Sequence, residues 1–381
     1  MTELRVEILD EAAKAAGMRG PWLELFDRSP QWSVAQGPDY VLTAWDIISR
    51  QPGVRLAVIA VWAGDNLVCV WPLYVRRAGR VSVACHPGCG GHEEYAGPLI
   101  AGEDETARAA GRLALDAAKG LADVLRVYNV RAPSIAAEIL AADPSPRRNA
   151  SVQSPVIDLH AFTDGDAWVQ SLSKKLRAEV RHDRRHLAAK GELRFQEMSG
   201  PEDGPRCIDW IFKEKRAWLA GRGIKKSWML ESQGRDLFAT LAARPRGDRP
   251  LRGDVQTYAL TLDGAIIAAG FGFSSSDRWE SYNNAYDLGL NDYSPGSLLI
   301  EDCVRLAIGA RLDYDFRITL EAYKKRWFDR LDRYDSFMIA CTPAGRMSVA
   351  VEKIERRIRV FRAKWGPRVK GWLRRRRGGK S

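Results

Sequence analysis

Apolar and polar residues alternate along the first half of the chain in a way that predicts short strands and amphipathic helices. Val54–Val61 (VRLAVIAV) and Leu67–Val75 (LVCVWPLYV) are strand-like runs split by Ala63-Gly64-Asp65-Asn66, so they predict a hairpin. A short helix is expected at Pro38–Ser49, and a loop at Gly88–Gly97 closed by Glu93-Glu94-Tyr95. Thr106–Leu121 repeats Ala and Leu at helical spacing, and Asp123–Val130 returns as a strand. Ala141–Ser154, with Pro144, Pro146 and Arg147-Arg148, reads as a linker.

The second half repeats that order. A long helix is expected at Asp166–Lys190, then a strand at Leu193–Met198 and helices at Asp203–Gly221 and Gly234–Ala243. A meander follows: Gln256–Leu262, a turn at Asp263-Gly264, Ala265–Phe273, a turn near Ser276-Asp277, and Trp279–Ala285. Leu298–Ala310 reads as a helix, with strands at Leu312–Phe316 and Tyr334–Cys341. Each half therefore holds a hairpin or meander, a helix and a further strand, a repeat of architecture rather than of letters.

Composition bounds this picture. A length of 381 residues suits two domains of ordinary size, and 45% hydrophobic with 28% charged residues describes a folded, soluble protein. No apolar run is long enough for a membrane-spanning helix. Met1–Gly20 carries Glu3, Glu7, Asp10 and Glu11 and has no apolar signal core, so a cytoplasmic location is expected. The six cysteines are then expected as thiols. Cys85-His86-Pro87-Gly88-Cys89 with His92 has a loose metal-ligand spacing but no second ligand pair, and reads as a Gly-rich loop. The net charge of +11 sits in residues 351–381, which hold 13 of the 59 basic and 2 of the 48 acidic side chains. The first 350 residues are neutral, so nucleic acid is not the expected partner.

Candidate chemistry lies between residues 293 and 327. Tyr293-Ser294-Pro295-Gly296 opens a helix, whose first N–H groups and dipole suit a phosphate. Tyr314-Asp315-Phe316 and Glu321-Ala322-Tyr323-Lys324 follow. Together with Leu260-Thr261-Leu262-Asp263-Gly264, Tyr286-Asp287, Ser294-Pro295-Gly296-Ser297-Leu298-Leu299 and Trp327, this stretch resembles the BioF2-like acetyltransferase family. Those proteins are GNAT relatives and include members named for cellulose biosynthesis. Leu172-Ser173-Lys174-Lys175-Leu176-Arg177 and Glu94-Tyr95-Ala96-Gly97-Pro98-Leu99 add to the likeness, which spans about residues 20–340. One departure is Arg317-Ile318-Thr319-Leu320, where family members commonly carry Gly before the Glu-x-Tyr-Lys.

The resemblance implies an α+β protein of tandem GNAT-like domains, each a mixed, mostly antiparallel sheet flanked by helices. The expected boundaries are 1–150, 151–345 with the cofactor site, and 346–381 as a basic amphipathic tail. It implies acetyl-CoA or another acyl-CoA as co-substrate, no metal, and transfer to an amine or hydroxyl of a sugar, glycolipid or amino acid, in envelope polysaccharide biosynthesis. Ser294, Gly296, Ser297 and Leu298 would bind the cofactor. Lys324 would stabilise an oxyanion or a phosphate, Tyr323 or Tyr282 would act as acid, and Asp315 or Asp287 would orient the amine or act as base. Phe316, Tyr323 and Trp327 also read as core aromatics, beside a solvated Lys324–Glu321 pair. The alternatives in function are a tRNA-dependent aminoacyl ligase of the FemAB type and a non-catalytic accessory protein of exopolysaccharide assembly.

Two basic features remain. Lys174, Arg177, Arg181 and Arg184 stack on one face of the expected long helix, either to grip an anionic substrate or as a solvated face balanced by Glu179 and Asp183. His182 and His186 lie one turn apart without the acid that a zinc helix needs. In the tail, Val351, Ile354, Ile358, Phe361 and Trp365 form an apolar stripe opposite Lys353, Arg356, Arg357, Arg359 and Arg362. That stripe suits an anionic membrane surface at the inner face or an anionic polymer, docking onto the protein itself, or, as a third option, nucleic acid.

Overall fold

The computed structural model describes residues 3–88, 95–145, 147–244, 255–318 and 320–354. In chain order its elements are β1 (Leu4–Leu9), α1 (Ala12–Gly17), α2 (Arg19–Arg28), α3 (Pro38–Ile48), β2 (Arg55–Ala63), β3 (Asn66–Ala78), β4 (Val81–Cys85), β5 (Leu99–Ile100), α4 (Glu105–Lys119), β6 (Val124–Ala132), α5 (Ile135–Ala142) and β7 (Arg147–Ile157). The second half continues with α6 (Gly165–Ser171), α7 (Lys174–Ala188), β8 (Leu193–Glu197), α8 (Gly200–Gly221), α9 (Ser232–Ala242), β9 (Val255–Leu262), β10 (Ala265–Ser274), β11 (Arg278–Tyr286), α10 (Pro295–Gly309), β12 (Asp313–Asp315) and β13 (Arg330–Ala340). A last helix, α11, covers residues 343–354.

The strands form one sheet in the order β1-β2-β3-β4-β6-β13-β7-β12-β11-β10-β9-β8, with β5 beside β3. Among the described residues, only β4–β6 and β11–β12 pair in parallel. Each half thus runs through an antiparallel meander, crosses over by a helix (α4 or α10), and returns as a strand parallel to the meander's last one. Strand β13, from late in the chain, lies between β6 and β7 and makes the sheet continuous across the halves. The Asp263-Gly264 turn has positive φ at both positions (48° and 79°), the backbone of a tight two-residue hairpin.

Helices cover both faces. α4 and α5 bury Ala110, Ala114, Ile139 and Leu140 against β2, β3 and β6, while α1, α2 and α3 cover the opposite face through Ala15, Trp22, Leu25 and Val41. In the second half α7 and α10 pack on one face and α8 and α9 on the other. Tyr40, Ala44 and Ile48 of α3 join the α8–α9 cluster and tie the halves together.

Three sequence expectations need correction. The long helix is two helices, because Leu172 turns extended and the Ser173 hydroxyl accepts the Leu176 N–H, capping a new start. The linker at Ala141–Ser154 is instead the end of α5 and most of β7, whose backbone pairs with β13 from Arg147 to Val156 and with β12 at Val156 and Ile157. The N-terminal elements β1, α1 and α2 were not foreseen, since β1 is an edge strand that exposes Val6 and Ile8 and lacks a clean alternation. Among the described residues, no helix is long and apolar enough to cross a membrane.

Candidate functional site

The parallel pairing of β11 with β12 lasts three residues and stops at Glu280 opposite Asp315. Just beyond, the β10–β11 register slips between Phe271 and Gly272, so Tyr282 is the extra residue of a β-bulge. Strand β11 runs on to Tyr286 while the chain after β12 turns away at Arg317, whose φ is +58°. A cavity of about 170 Å³ opens in that gap. It is lined by Ser281 to Asn284 of β11, by Phe316 to Ile318, by Glu321, Tyr323 and Lys324, and from above by Lys215 of α8 and Trp228.

The sequence-predicted Lys324, Tyr323 and Tyr282 therefore share one cavity. Lys324 is only 4% exposed. Its ammonium donates to the Phe316 carbonyl at 3.0 Å and pairs with the Glu321 carboxylate at 2.7 Å, which fixes its position. Burial pushes its pKa below the usual lysine value, with Glu321 opposing. Tyr323 is 43% exposed as a whole residue, but desolvation around the hydroxyl pushes the phenol up, so it stays protonated at neutral pH, and the hydroxyl is in hydrogen-bonding contact with Asn284.

Asp315 does not line the cavity. It is fully buried and its carboxylate is saturated: it accepts from the Arg317 N–H at 2.6 Å, Tyr334 at 3.2 Å, Tyr95 and Arg278 at 3.3 Å, and the Ser154 hydroxyl. The Arg317 N–H bond is what holds that residue in its left-handed conformation. Above it, the Arg317 guanidinium pairs with Glu280, buried between the rings of Tyr95 and Tyr282. Burial pushes the Glu280 carboxyl above the usual range, with Arg317 opposing. Arg278, also buried, reaches Asp277, Asp315 and Asp332 and knits β11 to β12 and β13. Burial raises the Asp277 carboxyl, but hydrogen bonds from Arg278 and Arg131 more than offset this and hold it well below the usual range.

Ser294, Gly296, Ser297 and Leu298 lie at the start of α10, which packs at Gly296 beside Tyr286, two residues past Asn284 of the cavity wall on β11. Ser294 is left-handed (φ 43°), and its carbonyl accepts the Ser297 N–H at 2.8 Å. A Cβ on Gly296 would lie 3.2 Å from the Tyr286 ring, so glycine lets the strand end and the helix start approach closely. Asp287 is spent on a turn, accepting the Gly289 N–H at 2.8 Å.

The basic ridge is mostly occupied. The Arg177 guanidinium donates to the Gln170 and Leu172 carbonyls and closes α6, while Arg184 bridges to Glu301 and Asp302 of α10. Arg181 faces solvent. His86 contacts the Ala35 carbonyl at 2.8 Å. Cys89 and His92 of the loose metal spacing lie outside the described residues, as do Thr319 and residues 355–381. Where α11 is described, Val349 packs on β4, β6 and β13 and Glu352 pairs with Arg126, whereas Val351 and Ile354 of the tail stripe are exposed.

Residues 174–325 match the family model described as an acetyltransferase (GNAT) domain. The second half carries a GNAT-type acetyltransferase domain, which supports a CoA-dependent acyltransferase. Among solved structures, that of FemX shares the fold at a TM-score of 0.59, with 11% identity over 86% of this chain and 96% of that one. The C-terminal domain assigned to a lysylphosphatidylglycerol synthetase of Agrobacterium fabrum aligns at a TM-score of 0.54, with 13% identity over 89% and 96% of the two chains. No curated protein sequence matches the chain.

Sequence reasoning missed Lys215, Arg317, Glu280 and the amides of Asn283 and Asn284. Lys215 stands in an ordinary amphipathic helix with no motif around it, and only its place between buried Ile211 and Leu219 hints at an inward side chain. Arg317 and Glu280 are 37 positions apart, and only the register of β11 on β12 joins them.

Proposed function

We propose that the protein transfers an acyl group, acetyl in the simplest case, from CoA to the amine or hydroxyl of a small acceptor, in the cavity where β11 and β12 part. The observation that carries this reading is the meeting of Lys324, Tyr323 and the bulged Tyr282 at that gap, inside the region that matches the acetyltransferase domain. The acceptor amine attacks the thioester carbonyl and forms a carbon–nitrogen bond. The carbonyl oxygen takes up negative charge, which the fixed Lys324 ammonium stabilises, and the carbon–sulfur bond then breaks. The Tyr323 phenol, held protonated, gives its proton to the leaving thiolate and recovers one from the attacking nitrogen. The α10 N-terminus with Ser294, Gly296, Ser297 and Leu298, packed beside Tyr286 at the end of β11, offers the cofactor's phosphates a helix dipole. Thioesters are already activated, so the step requires no metal.

The finer placement we favour is the BioF2-like branch, acting on a sugar, glycolipid or amino acid beside an anionic membrane surface. The exposed Val351 and Ile354, at the start of the basic tail, support that location. A second reading is aminoacyl transfer from a charged tRNA. It is favoured by the fold shared with a lysylphosphatidylglycerol synthetase domain, and the same lysine would serve an aminoacyl ester.

Thiol release from acetyl-CoA with a panel of amine and hydroxyl acceptors tests the first reading. Lys324→Ala should lower kcat about 10²–10³-fold while melting within a few degrees of the wild type. Unchanged kcat removes Lys324 from the chemistry, and turnover with aminoacyl-tRNA but not acyl-CoA selects the second reading.

A further inference from the structure

We propose that Lys215 receives an anionic group of the acceptor, a carboxylate or a phosphate, so that the substrate is an amine or alcohol bearing a negative charge a few bonds from the atom that is acylated. This rests on the acyl-transfer reading above.

Lys215 sits on the inner face of α8, four residues after the buried Ile211 and four before the buried Leu219. Its stem is thereby directed over the core and its ammonium toward the cavity it lines, 5.6 Å from the Trp218 ring centre. The other cations of this region have anions beside them. Lys324 has Glu321 at 2.7 Å, Arg317 has Glu280, and Arg278 has Asp332 at 2.8 Å. Among the described residues, no carboxylate lies within ion-pairing distance of Lys215.

A half-buried ammonium without a partner is costly, and an arriving anion would remove that cost. Burial already depresses the Lys215 pKa, with Glu321 opposing and Lys324 adding to the depression. The sign of the ligand follows from the lining. Lys215 and Lys324 stand against Glu321, while Arg317 is neutralised by Glu280, so the cavity carries surplus positive charge. Asn284 and Ser281 add neutral polar groups beside it, while the Asn283 amide donates to the Met229 sulfur and leaves its oxygen unpartnered among the described residues.

The test compares three amines that differ in the distal group: glycine, O-phosphoethanolamine and ethanolamine. Their binding to the full chain is measured by ligand-observed NMR without CoA, for wild type, Lys215→Met and Lys215→Arg. Wild type should bind glycine or O-phosphoethanolamine at least about tenfold more tightly than ethanolamine. Which of the two wins tells carboxylate from phosphate. Lys215→Met should erase the preference, and Lys215→Arg, which keeps the charge, should retain it. Circular dichroism melting of each variant checks that the fold is kept, and Lys215→Gln replaces Met if the Met chain fails to fold. Equal binding of ethanolamine, no detectable binding of either anion, or a preference that survives loss of the charge overturns the proposal. Acetyl-CoA binding, measured on the same samples, reports separately on acyl transfer: its loss alone defeats that reading and leaves the anion site standing.

Discussion

The Arg317 guanidinium meets the Glu280 carboxylate where β12 leaves β11, with its central carbon 4.1 Å from the Tyr95 ring centre and 4.5 Å from that of Tyr282. Tyr95 belongs to the first half and the other three residues to the second, so this pair fastens the cavity wall to both. Removing one partner of a buried pair strands a charge, at a cost of about 3–5 kcal/mol. Glu280→Gln should therefore destabilise the protein strongly in urea unfolding, and the double variant Glu280→Gln with Arg317→Met should regain part of the loss. A single variant as stable as wild type would mean the pair is solvated.

Asp315 is surrounded by five donors, an environment that suits a positioning residue rather than a base. Asp315→Asn replaces one acceptor oxygen with an NH2 donor that faces other donors and leaves them unsatisfied, which should cost about 1–3 kcal/mol of unfolding free energy. Activity should fall along with stability. Full stability with abolished turnover would return Asp315 to the role of base.

Lys324 supplies a pH signature. Its pKa is depressed by burial, so the ammonium loses its proton at a lower pH than a free lysine, and oxyanion stabilisation is lost as pH rises through that value. The pH profile of kcat should fall on the alkaline side below 10.5, the ordinary lysine value. Lys324→Arg keeps the charge to higher pH, so the residual activity of that variant should show no such fall. An identical alkaline limb in both would assign it to another group.

The tail can be separated from the fold at a defined point. Val349 and Glu352 belong to the folded protein through Val124 and Arg126, so the chain should be cut after Ile354 rather than earlier. Liposomes rich in anionic lipid should co-sediment the full chain and leave the shortened one in solution, with the difference fading at high salt. Equal binding of both chains would exclude residues 355–381 as the anchor.

Much of the fold was legible because its signals are local. The Asp263-Gly264 pair demands positive φ, and the hairpin of β2 and β3 and the meander of β9 to β11 carry dense β-branched and aromatic runs. Tyr323 and Lys324 were legible as a motif. What stayed hidden depends on partners distant in sequence. Pro144, Pro146 and two arginines look like a linker until β13 and β12 pair with the backbone beyond them. The break at Leu172-Ser173 rests on a hydroxyl cap without the acid at the third helical position that would have marked it. Arg177 and Arg184 looked like a ligand grip because a helical wheel cannot show the carbonyls of α6 or the acids of α10. Lys215 belongs to the same class, visible only when α8 is laid over β11.

The central claim is that the second half holds an acyl-CoA, with its phosphates at the start of α10 and its thioester in the cavity beside Lys324. Isothermal titration of acetyl-CoA into the full chain and into Gly296→Trp tests it most directly, since a side chain at Gly296 meets the Tyr286 ring and obstructs the helix start. Saturable one-to-one binding to the wild type, lost in the still-folded Gly296→Trp chain, is the predicted result. No binding of acetyl-CoA to the wild type, or equal binding to both, would contradict it.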